Sequence, residues 1–288
     1  MGPRVAPLIY VLLLILVTAV WGWTFVLVKD AVTQYPTLAF LQARFVLALV
    51  VMAVLVHRLP SRRELRVGSI IGLVLAGGYL AQTAGLTMTS PGNAGLITGL
   101  FVVFTPLLNR IFGAPIHWWT LVAAAVSLAG LLCLTGGPSG MGVGDLLVLV
   151  CAVLFALHIV LLGRWSPGLP AAPLAMVQMG VAALIFSAGG TWSLRMPSQQ
   201  VWIAIVITGV FASALGFYIQ TWSQGFISPN RTALVLATEP AWALAAAVVL
   251  AGQRFGVLQA VGAALVLLAI VGHELASLKF EVHEPSPP

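Results

Sequence analysis

Apolar stretches of about 20 residues, the length that crosses a bilayer as an α-helix, recur along the whole chain and restrict its fold more than any other feature. Hydrophobic residues fill 60% of the 288 positions, charged residues fill only 7%, and the mean hydropathy is +1.08. Such a chain has too few polar side chains to cover a soluble domain. The sequence therefore predicts an all-α polytopic membrane protein.

The apolar stretches predict ten transmembrane helices. The first begins shortly after Arg4, as a signal peptide would, but it is long for one and nine further spans follow it. A glycine-rich segment, Gly136–Gly144, separates five spans from five, because its glycines and proline exclude a continuous helix. The predicted spans are Leu8–Val28, Thr37–Val56, Val67–Leu86, Gly92–Phe112, His117–Leu134, Asp145–Leu162, Ala171–Gly189, Val201–Phe217, Pro229–Leu250 and Val257–Leu275, and the eighth has a polar extension to Gln224.

Short sequence segments of the first half of the chain are repeated in the second half. Tyr79–Pro91 (YLAQTAGLTMTSP) reappears 138 residues later as Phe217–Pro229 (FYIQTWSQGFISP), and Gln42 with the Leu-Ala pair before it reappears as Gln178 at a spacing of 136. Two unrelated pieces that agree on nearly one period indicate a duplication. We therefore predict a first repeat over residues 1–135, a linker over 136–144 and a second repeat over 145–288. Because each repeat crosses the membrane an odd number of times, the two are inverted, as alternating access requires.

The loop charges predict the orientation. If the N-terminus is cytoplasmic, nine Arg or Lys residues lie inside and three lie outside, in accordance with the positive-inside rule. Both termini are then cytoplasmic and the linker is external. The net charge of +6 does not indicate a nucleic-acid partner, because the basic residues are mostly scattered singly between apolar runs. The inner set is Arg4, Arg58, Arg62, Arg63, Arg66, Arg110, Arg164, Arg231 and Lys279, and the outer set is Lys29, Arg195 and Arg254.

Four short motifs occur in a recognisable order on these duplicated spans. They are WGWTF at Trp21–Phe25, Arg44 in the second span, Ser228–Pro229 at the start of the ninth, and Glu239–Pro240 inside it. The pattern resembles the EamA family of the drug/metabolite transporter superfamily over essentially the whole chain. The resemblance implies a carrier of small metabolites, often an amino-acid exporter, with its cavity between the halves. In the first repeat, Thr105–Pro106 stands four residues late and lacks the glutamate, so the Glu-Pro feature is expected in the second repeat alone.

Three ionisable residues are predicted to lie within the membrane, where such groups usually face protein or water. Arg44 either forms a structural ion pair or snorkels, or it binds a substrate carboxylate. His158 stands at the position of Thr24 in the first repeat, and it either hydrogen-bonds a neighbouring helix or lines the cavity. Glu239 either carries protons or is held ionised by Arg44 or His158.

Neutral polar and aromatic side chains predict the substrate cavity. Tyr79, Gln82 and Thr83 share one face of the third helix, because they are spaced i, i+3 and i+4. The equivalent segment Tyr218–Gln224 carries a similar polar and aromatic face on the eighth helix. The predicted substrate-binding residues are Trp21, Thr24, Tyr79, Gln82, Thr83, His158, Tyr218, Thr221 and Trp222, and the predicted ion-pair or coupling residues are Arg44 and Glu239.

The sequence thus predicts a secondary transporter that exports small metabolites, foremost amino acids that include hydrophobic and aromatic ones. Amide, hydroxyl and aromatic groups with few charges suit a small zwitterion better than a phosphorylated sugar. One alternative is efflux of drugs or lipophilic cations, in which Glu239 alone recognises the charge. The alternative of another class is a membrane-embedded lipid-modifying enzyme, although no HExxH, CxxC or serine-elbow motif occurs in the spans.

No cofactor, metal site, ATP site or catalytic residue is predicted. The linker glycines do not form a P-loop, because no strand precedes them and neither Lys29 nor Lys279 follows a glycine. Cys133 and Cys151 both lie in apolar runs and suggest neither a disulfide nor a metal site. The expected partners are a small-molecule substrate and the lipid bilayer, and the expected protein is a monomer or homodimer in a bacterial inner membrane.

Overall fold

The computed structural model describes residues 6–113, 117–135, 141–189, 196–227 and 229–281. Within these ranges the regular structure is helical, and no β-strand occurs, so the predicted all-α fold is confirmed. Linker residues 136–140 lie outside the described residues, as do Arg4, Arg195 and Ser228.

Ten helices, α1 to α10, follow one another along the described chain, and two of them are broken. The unbroken helices include α8, whose middle turns, Ile207–Leu215, are π-helical. The bounds are Ala6–Gln34 for α1, Thr37–Leu55 for α2, Arg62–Met88 for α3, Pro91–Thr98 and Phe101–Arg110 for α4, Trp118–Thr135 for α5, Val143–Trp165 for α6, Ala171–Gly189 for α7, Gln199–Ser223 for α8, Pro229–Leu236 and Glu239–Val249 for α9, and Val257–Glu281 for α10.

Seven of the helices, α1 to α4 and α6 to α8, are by length and apolarity able to cross a membrane. The other three contain shorter apolar stretches within the described residues: Leu121–Gly130 in α5, Glu239–Val249 in α9 and Val257–Ala269 in α10. The chain is therefore a multi-pass membrane protein, as its composition predicts.

Polar residues fix where α3 begins. Ser61 Oγ accepts a hydrogen bond from the Glu64 backbone N–H at 3.3 Å, and Glu64 Oε2 accepts one from the Ser61 N–H at 2.6 Å, which completes a capping box. Arg58 forms an ion pair with the same carboxylate. The hydrogen bonds that Arg58 donates to the Glu64 carboxylate raise the pKa of the exposed Arg58 guanidinium above its ordinary value.

Helices α4 and α9 are interrupted at positions that the predicted duplication makes equivalent. The turn in α4 lies at Gly99–Leu100, and the turn in α9 lies at Ala237–Thr238. Pro240 follows the second turn, and its nitrogen has no hydrogen to donate to a carbonyl of the preceding half-helix. Discontinuous helices of this kind surround the binding sites of many secondary transporters.

Helices of the first half pack mainly on helices of the second half. The tightest pairs are α3 with α6, α5 with α10, α2 with α7, and α1 with α9. Small residues permit these contacts, since a Cβ added to Gly22 or Gly95 would overlap Trp242 or Ala243 of α9. The two halves therefore interlock, and the cavity described below lies among α1, α2, α3, α4, α6, α8 and α9.

Candidate functional site

A cavity lies at the centre of the helix bundle, beside the breaks in α4 and α9. Its walls are mostly aromatic and aliphatic, and a few polar groups converge on it. The lining residues are Trp21, Thr24, Phe25, Val28, Arg44, Tyr79, Gln82, Leu86, Phe101, Phe155, His158, Ile159, Phe217, Gln220, Leu236 and Glu239.

The cavity is narrow in this conformation. The volume open to the centre of a water molecule is about 40 Å³, and one water needs about 10–15 Å³ on this measure. The space therefore holds a few water molecules, and a metabolite needs the helices to move apart. A carrier that alternates between two open states passes through a contracted state of this kind.

Arg44 is buried at the cavity with its charge held by neutral groups. Its Nε donates to Ser213 Oγ at 2.8 Å, and its Nη2 donates to the Tyr79 hydroxyl at 3.1 Å. Its Cζ also lies 4.4 Å from the centroid of the Tyr79 ring, in a cation–π contact. Among the described residues no carboxylate lies within 4.0 Å of the guanidinium. These contacts fix the position of the cation without neutralising it.

Glu239 is also buried, and it is the first residue of the second half of α9. The one ion pair among the described residues joins Arg58 and Glu64, so Glu239 has no cationic partner there. The pairing of Glu239 with Arg44 or His158, one of the two roles expected for it, is therefore absent from this conformation. Tyr79, which contacts Arg44, lines the same cavity as Glu239.

Aromatic rings connect the polar groups of the cavity. Phe217 is the central ring, with centroids 5.1 Å from Trp21, 5.9 Å from Tyr79 and 5.6 Å from His158. The Trp21 indole N–H donates to the Ala212 carbonyl at 2.7 Å, within the π-helical turns of α8. Gly216 makes room for this indole, since a Cβ there would lie 2.9 Å from Trp21 Nε1.

A buried hydrogen-bond network holds His158 at the cavity wall. Gln178 Nε2 donates to the Leu174 carbonyl and to Thr221 Oγ1, at 3.3 and 3.4 Å. Its Oε1 therefore faces His158 Nε2, 2.9 Å away, and because an amide oxygen only accepts, this ring nitrogen carries the proton. Gln42, which the predicted duplication makes equivalent to Gln178, is buried, and its Nε2 has no partner in the part of the chain that the structure describes.

The two glutamines that line the cavity have their amide nitrogens bound to the protein. Gln220 Nε2 donates to Gln224 Oε1 at 3.1 Å, and Gln82 Nε2 donates to Thr98 Oγ1 at 3.3 Å. Gln220 is almost fully buried, and within the described part of the chain its Oε1 has no hydrogen-bond partner.

The cavity brings together seven of the eleven residues predicted from the sequence. The other four lie elsewhere. Thr83 is buried within α3, Thr221 belongs to the Gln178 network, and Tyr218 packs in the core formed with α2 and α7. Trp222 stacks edge-on against Tyr10, with the ring centroids 5.0 Å apart. The seven are Trp21, Thr24, Arg44, Tyr79, Gln82, His158 and Glu239.

Nine lining residues were absent from the predicted set, and helical spacing connects most of them to residues that were in it. Trp21, Thr24, Phe25 and Val28 lie at i, i+3, i+4 and i+7 on α1. Leu86 extends the Tyr79 face of α3, and Phe155 and Ile159 flank His158 on α6. Extending each predicted face by one turn would have found Phe25, Val28, Leu86 and Phe155. Phe217 and Gln220 are the repeat equivalents of Tyr79 and Gln82, and the remaining two lining residues are Phe101 and Leu236.

Comparison with known proteins identifies the family. Two successive segments of the sequence, residues 8–136 and 142–273, match the EamA-like transporter family. The chain belongs to this family. It is therefore a membrane transporter, and the predicted family resemblance is confirmed.

Two relatives of this EamA-family transporter carry descriptions of the same kind. An "Uncharacterized transporter" of Archaeoglobus fulgidus is 28% identical over 264 residues, which cover 90% of this chain and 83% of that protein. The "Uncharacterized inner membrane transporter YedA" of Escherichia coli K12 is 25% identical over 263 residues, which cover 88% and 86%. A crystal structure of another protein shares the fold with a TM-score of 0.70 at 19% identity, over 98% of this chain and 100% of that one.

The described part of the molecule contains no cluster of side chains that could ligate a metal ion. No group of three or more His, Cys, Asp or Glu side chains is placed there to hold an ion. Cys151 is buried and Cys133 is half-buried, and both are free thiols.

Proposed function

We propose that this transporter exports zwitterionic amino acids, with hydrophobic and aromatic side chains among them, by alternating access. One observation carries the proposal. Arg44 and Glu239 line the same buried cavity, and neither has an ion-pair partner among the described residues.

Two unpaired buried charges of opposite sign are costly to maintain unless a ligand compensates them. A free amino acid carries a carboxylate and an ammonium on neighbouring atoms, so it compensates both charges at once. Arg44 binds the carboxylate, because a guanidinium presents a planar fork of donors that matches it. Glu239, which lines the same cavity, binds the ammonium.

The walls of the cavity favour an apolar or aromatic side chain on the substrate. Phe25, Phe101, Phe155 and Phe217 line the cavity together with Leu236. Apolar walls with a few placed polar groups are the usual form of a small-molecule site, in which the polar groups set orientation and the walls set affinity.

The charges of the cavity favour a zwitterion over the alternative substrates. Arg44 would repel a lipophilic cation that approached Glu239, since both residues line one narrow space. A phosphorylated sugar calls for several convergent cations, and Arg44 is the one Arg or Lys among the described lining residues. A lipid-modifying enzyme would need a reactive motif, and the spans contain none of the familiar ones.

Transport follows from rocking of two inverted five-helix repeats about this cavity. We take the two matched segments, 8–136 and 142–273, as these repeats. The cell location is the bacterial inner membrane, by similarity to the Escherichia coli relative, with both termini in the cytoplasm.

Counterflow into proteoliposomes tests the proposal. Purified protein is reconstituted, the vesicles are loaded with L-phenylalanine or L-leucine, and entry of the labelled amino acid is measured. Phenethylamine, which lacks the carboxylate, and 3-phenylpropionate, which lacks the ammonium, serve as competitors. We expect uptake of the amino acids and weak competition by both analogues.

Variants of the two charged residues extend the test. Arg44→Gln and Glu239→Gln are each expected to raise the apparent KM by about tenfold or more, the effect of losing one hydrogen-bonded charge contact. Arg254→Gln, on the exposed loop after α9, is the matched control and is expected to transport normally. Counterflow of labelled phenethylamine in the absence of amino-acid counterflow would favour cation efflux instead.

A further inference from the structure

A chain of amide hydrogen bonds fixes the orientation of Gln220 at the cavity. Gln224 Nε2 donates to the backbone carbonyl of Ile159 at 3.0 Å, and Gln220 Nε2 donates to Gln224 Oε1 at 3.1 Å. All three residues are buried, and Gln220 and Ile159 line the cavity.

The chemistry of the chain allows one arrangement of its donors. A backbone carbonyl only accepts hydrogen bonds, so the amide nitrogen of Gln224 must face Ile159. The oxygen of Gln224 then faces Gln220, and Gln220 must present its own nitrogen in return. The oxygen of Gln220 is what remains, and it has no hydrogen-bond partner among the described residues. A buried acceptor without a partner costs stability unless something supplies a donor.

The first repeat places a similar group in the same cavity. Gln82, which the predicted duplication makes equivalent to Gln220, also lines it, and its Nε2 donates to Thr98 Oγ1 at 3.3 Å. Both glutamines therefore have their nitrogens bound to protein groups while their oxygens remain available. With Glu239, the narrow cavity then offers three acceptors from α3, α8 and α9, and it offers donors at Arg44.

We propose that the oxygens of Gln82 and Gln220, together with the Glu239 carboxylate, form a subsite for a primary ammonium group, and that Gln224 positions Gln220. This inference rests on the proposed transport of amino acids and adds the basis of its selectivity. A primary ammonium has three N–H donors, which matches three acceptors. Each N-methyl group removes one donor while keeping the charge, so the subsite discriminates by hydrogen bonding as well as by charge.

Transport of three probes of equal charge tests the subsite. The probes are L-phenylalanine, N-methyl-L-phenylalanine and N,N,N-trimethyl-L-phenylalanine, each measured by counterflow into proteoliposomes of the full-length protein. In the wild type we expect kcat/KM to fall at each step, by about tenfold or more between the primary and the trimethyl probe. The ratio between probes does not depend on how much protein is folded.

The variants separate binding from positioning. Gln220→Leu removes one of the three acceptors, so the ratio between the primary and trimethyl probes is expected to fall but to stay above one. Gln224→Leu leaves Gln220 in place but removes the acceptor that orients its amide, so a smaller fall in the ratio is expected. Gln200→Leu, at an exposed position on the same helix, is the matched control and is expected to keep the wild-type ratio.

The outcomes distinguish this inference from the proposed function. Wild-type protein that transports all three probes equally, or a Gln220→Leu variant that keeps the full ratio, would overturn the ammonium subsite and leave amino-acid transport standing. Absence of counterflow for both L-phenylalanine and L-leucine would overturn the proposed function itself.

Discussion

Arg44 and Tyr79 contact each other in two ways, since the Arg44 Cζ lies 4.4 Å from the Tyr79 ring centroid and Nη2 donates to the Tyr79 hydroxyl at 3.1 Å. Both residues are buried and both line the cavity. The π-face and the hydroxyl of Tyr79 are neutral, so they hold the guanidinium in place while its charge remains available to an anion. This arrangement is what the proposed carboxylate site requires.

Substitutions at Tyr79 separate the two contacts. Tyr79→Phe keeps the ring face and loses one hydrogen bond, so we expect the KM of counterflow to rise by less than about tenfold. Tyr79→Leu loses both contacts, and a larger increase is expected. Tyr35→Phe, directly after the C-terminal end of α1 and outside the lining of this cavity, is the control. Equal effects of Phe and Leu at position 79 would contradict the cation–π contribution.

Gln42 and Gln178 form a matched pair for a stability measurement. Gln178→Leu leaves His158 Nε2 and Thr221 without their partner, so we expect the free energy of unfolding to fall by about 1–3 kcal/mol. Gln42→Leu removes an amide nitrogen that has no partner among the described residues, so its effect should be close to zero or stabilising. Thermal unfolding in detergent, followed by tryptophan fluorescence, measures both. Equal losses in the two variants would contradict this account.

Gly216 is predicted to control the position of Trp21. A methyl group at position 216 would lie 2.9 Å from Trp21 Nε1 and 3.3 Å from the Phe211 carbonyl, so Gly216→Ala should displace the indole and reduce the rate of transport. Gly272→Ala in α10 meets nothing within 4 Å and should stabilise its helix by about 0.5–1 kcal/mol. Counterflow and thermal unfolding of the two variants test the difference. Normal transport by Gly216→Ala would show that the indole adapts without consequence.

Glu239→Gln is expected to fold as well as the wild type. No cation among the described residues is paired with this carboxylate, so its removal breaks no ion pair. We expect an unfolding temperature at least as high as that of the wild type, a higher KM and transport that does not respond to an imposed pH gradient. Asp30→Asn, at an exposed position on α1, is the control. Wild-type accumulation driven by a pH gradient, with exchange but no accumulation in Glu239→Gln, would show instead that Glu239 carries the proton.

The orientation of the chain is predicted from its loop charges, with nine basic residues inside and three outside. Reporter domains fused after Pro288 and inserted in the linker at Gly140 should report opposite sides of the membrane, the cytoplasm for the first and the exterior for the second. A cytoplasmic linker together with a cytoplasmic C-terminus would contradict the inverted arrangement of the repeats.

The transmembrane helices and the polar candidate residues of the cavity could be predicted from the sequence, because both depend on local properties. Hydropathy over about 20 residues defines a span, and helical spacing places Tyr79 and Gln82 on one face of α3, as the structure confirms. Arg44, His158 and Glu239 could be selected from their charge alone, because an ionisable group in an apolar run is unusual wherever its neighbours lie.

The α8 face shows what only the tertiary structure decided. Tyr218, Thr221 and Trp222, which were predicted to line the cavity, do not, whereas Phe217 and Gln220, the repeat equivalents of Tyr79 and Gln82, do. The packing of α8 against its neighbours decided which of its faces meets the cavity. The sequence also could not predict whether Arg44 and Glu239 form an ion pair, because that depends on the distance between α2 and α9. The sequence by itself determined the helices, the membrane and most of the polar candidates, which follow from local composition and period. The packing of one half against the other decided which helix faces meet at the cavity, because the orientation of each helix depends on contacts between residues far apart in the chain.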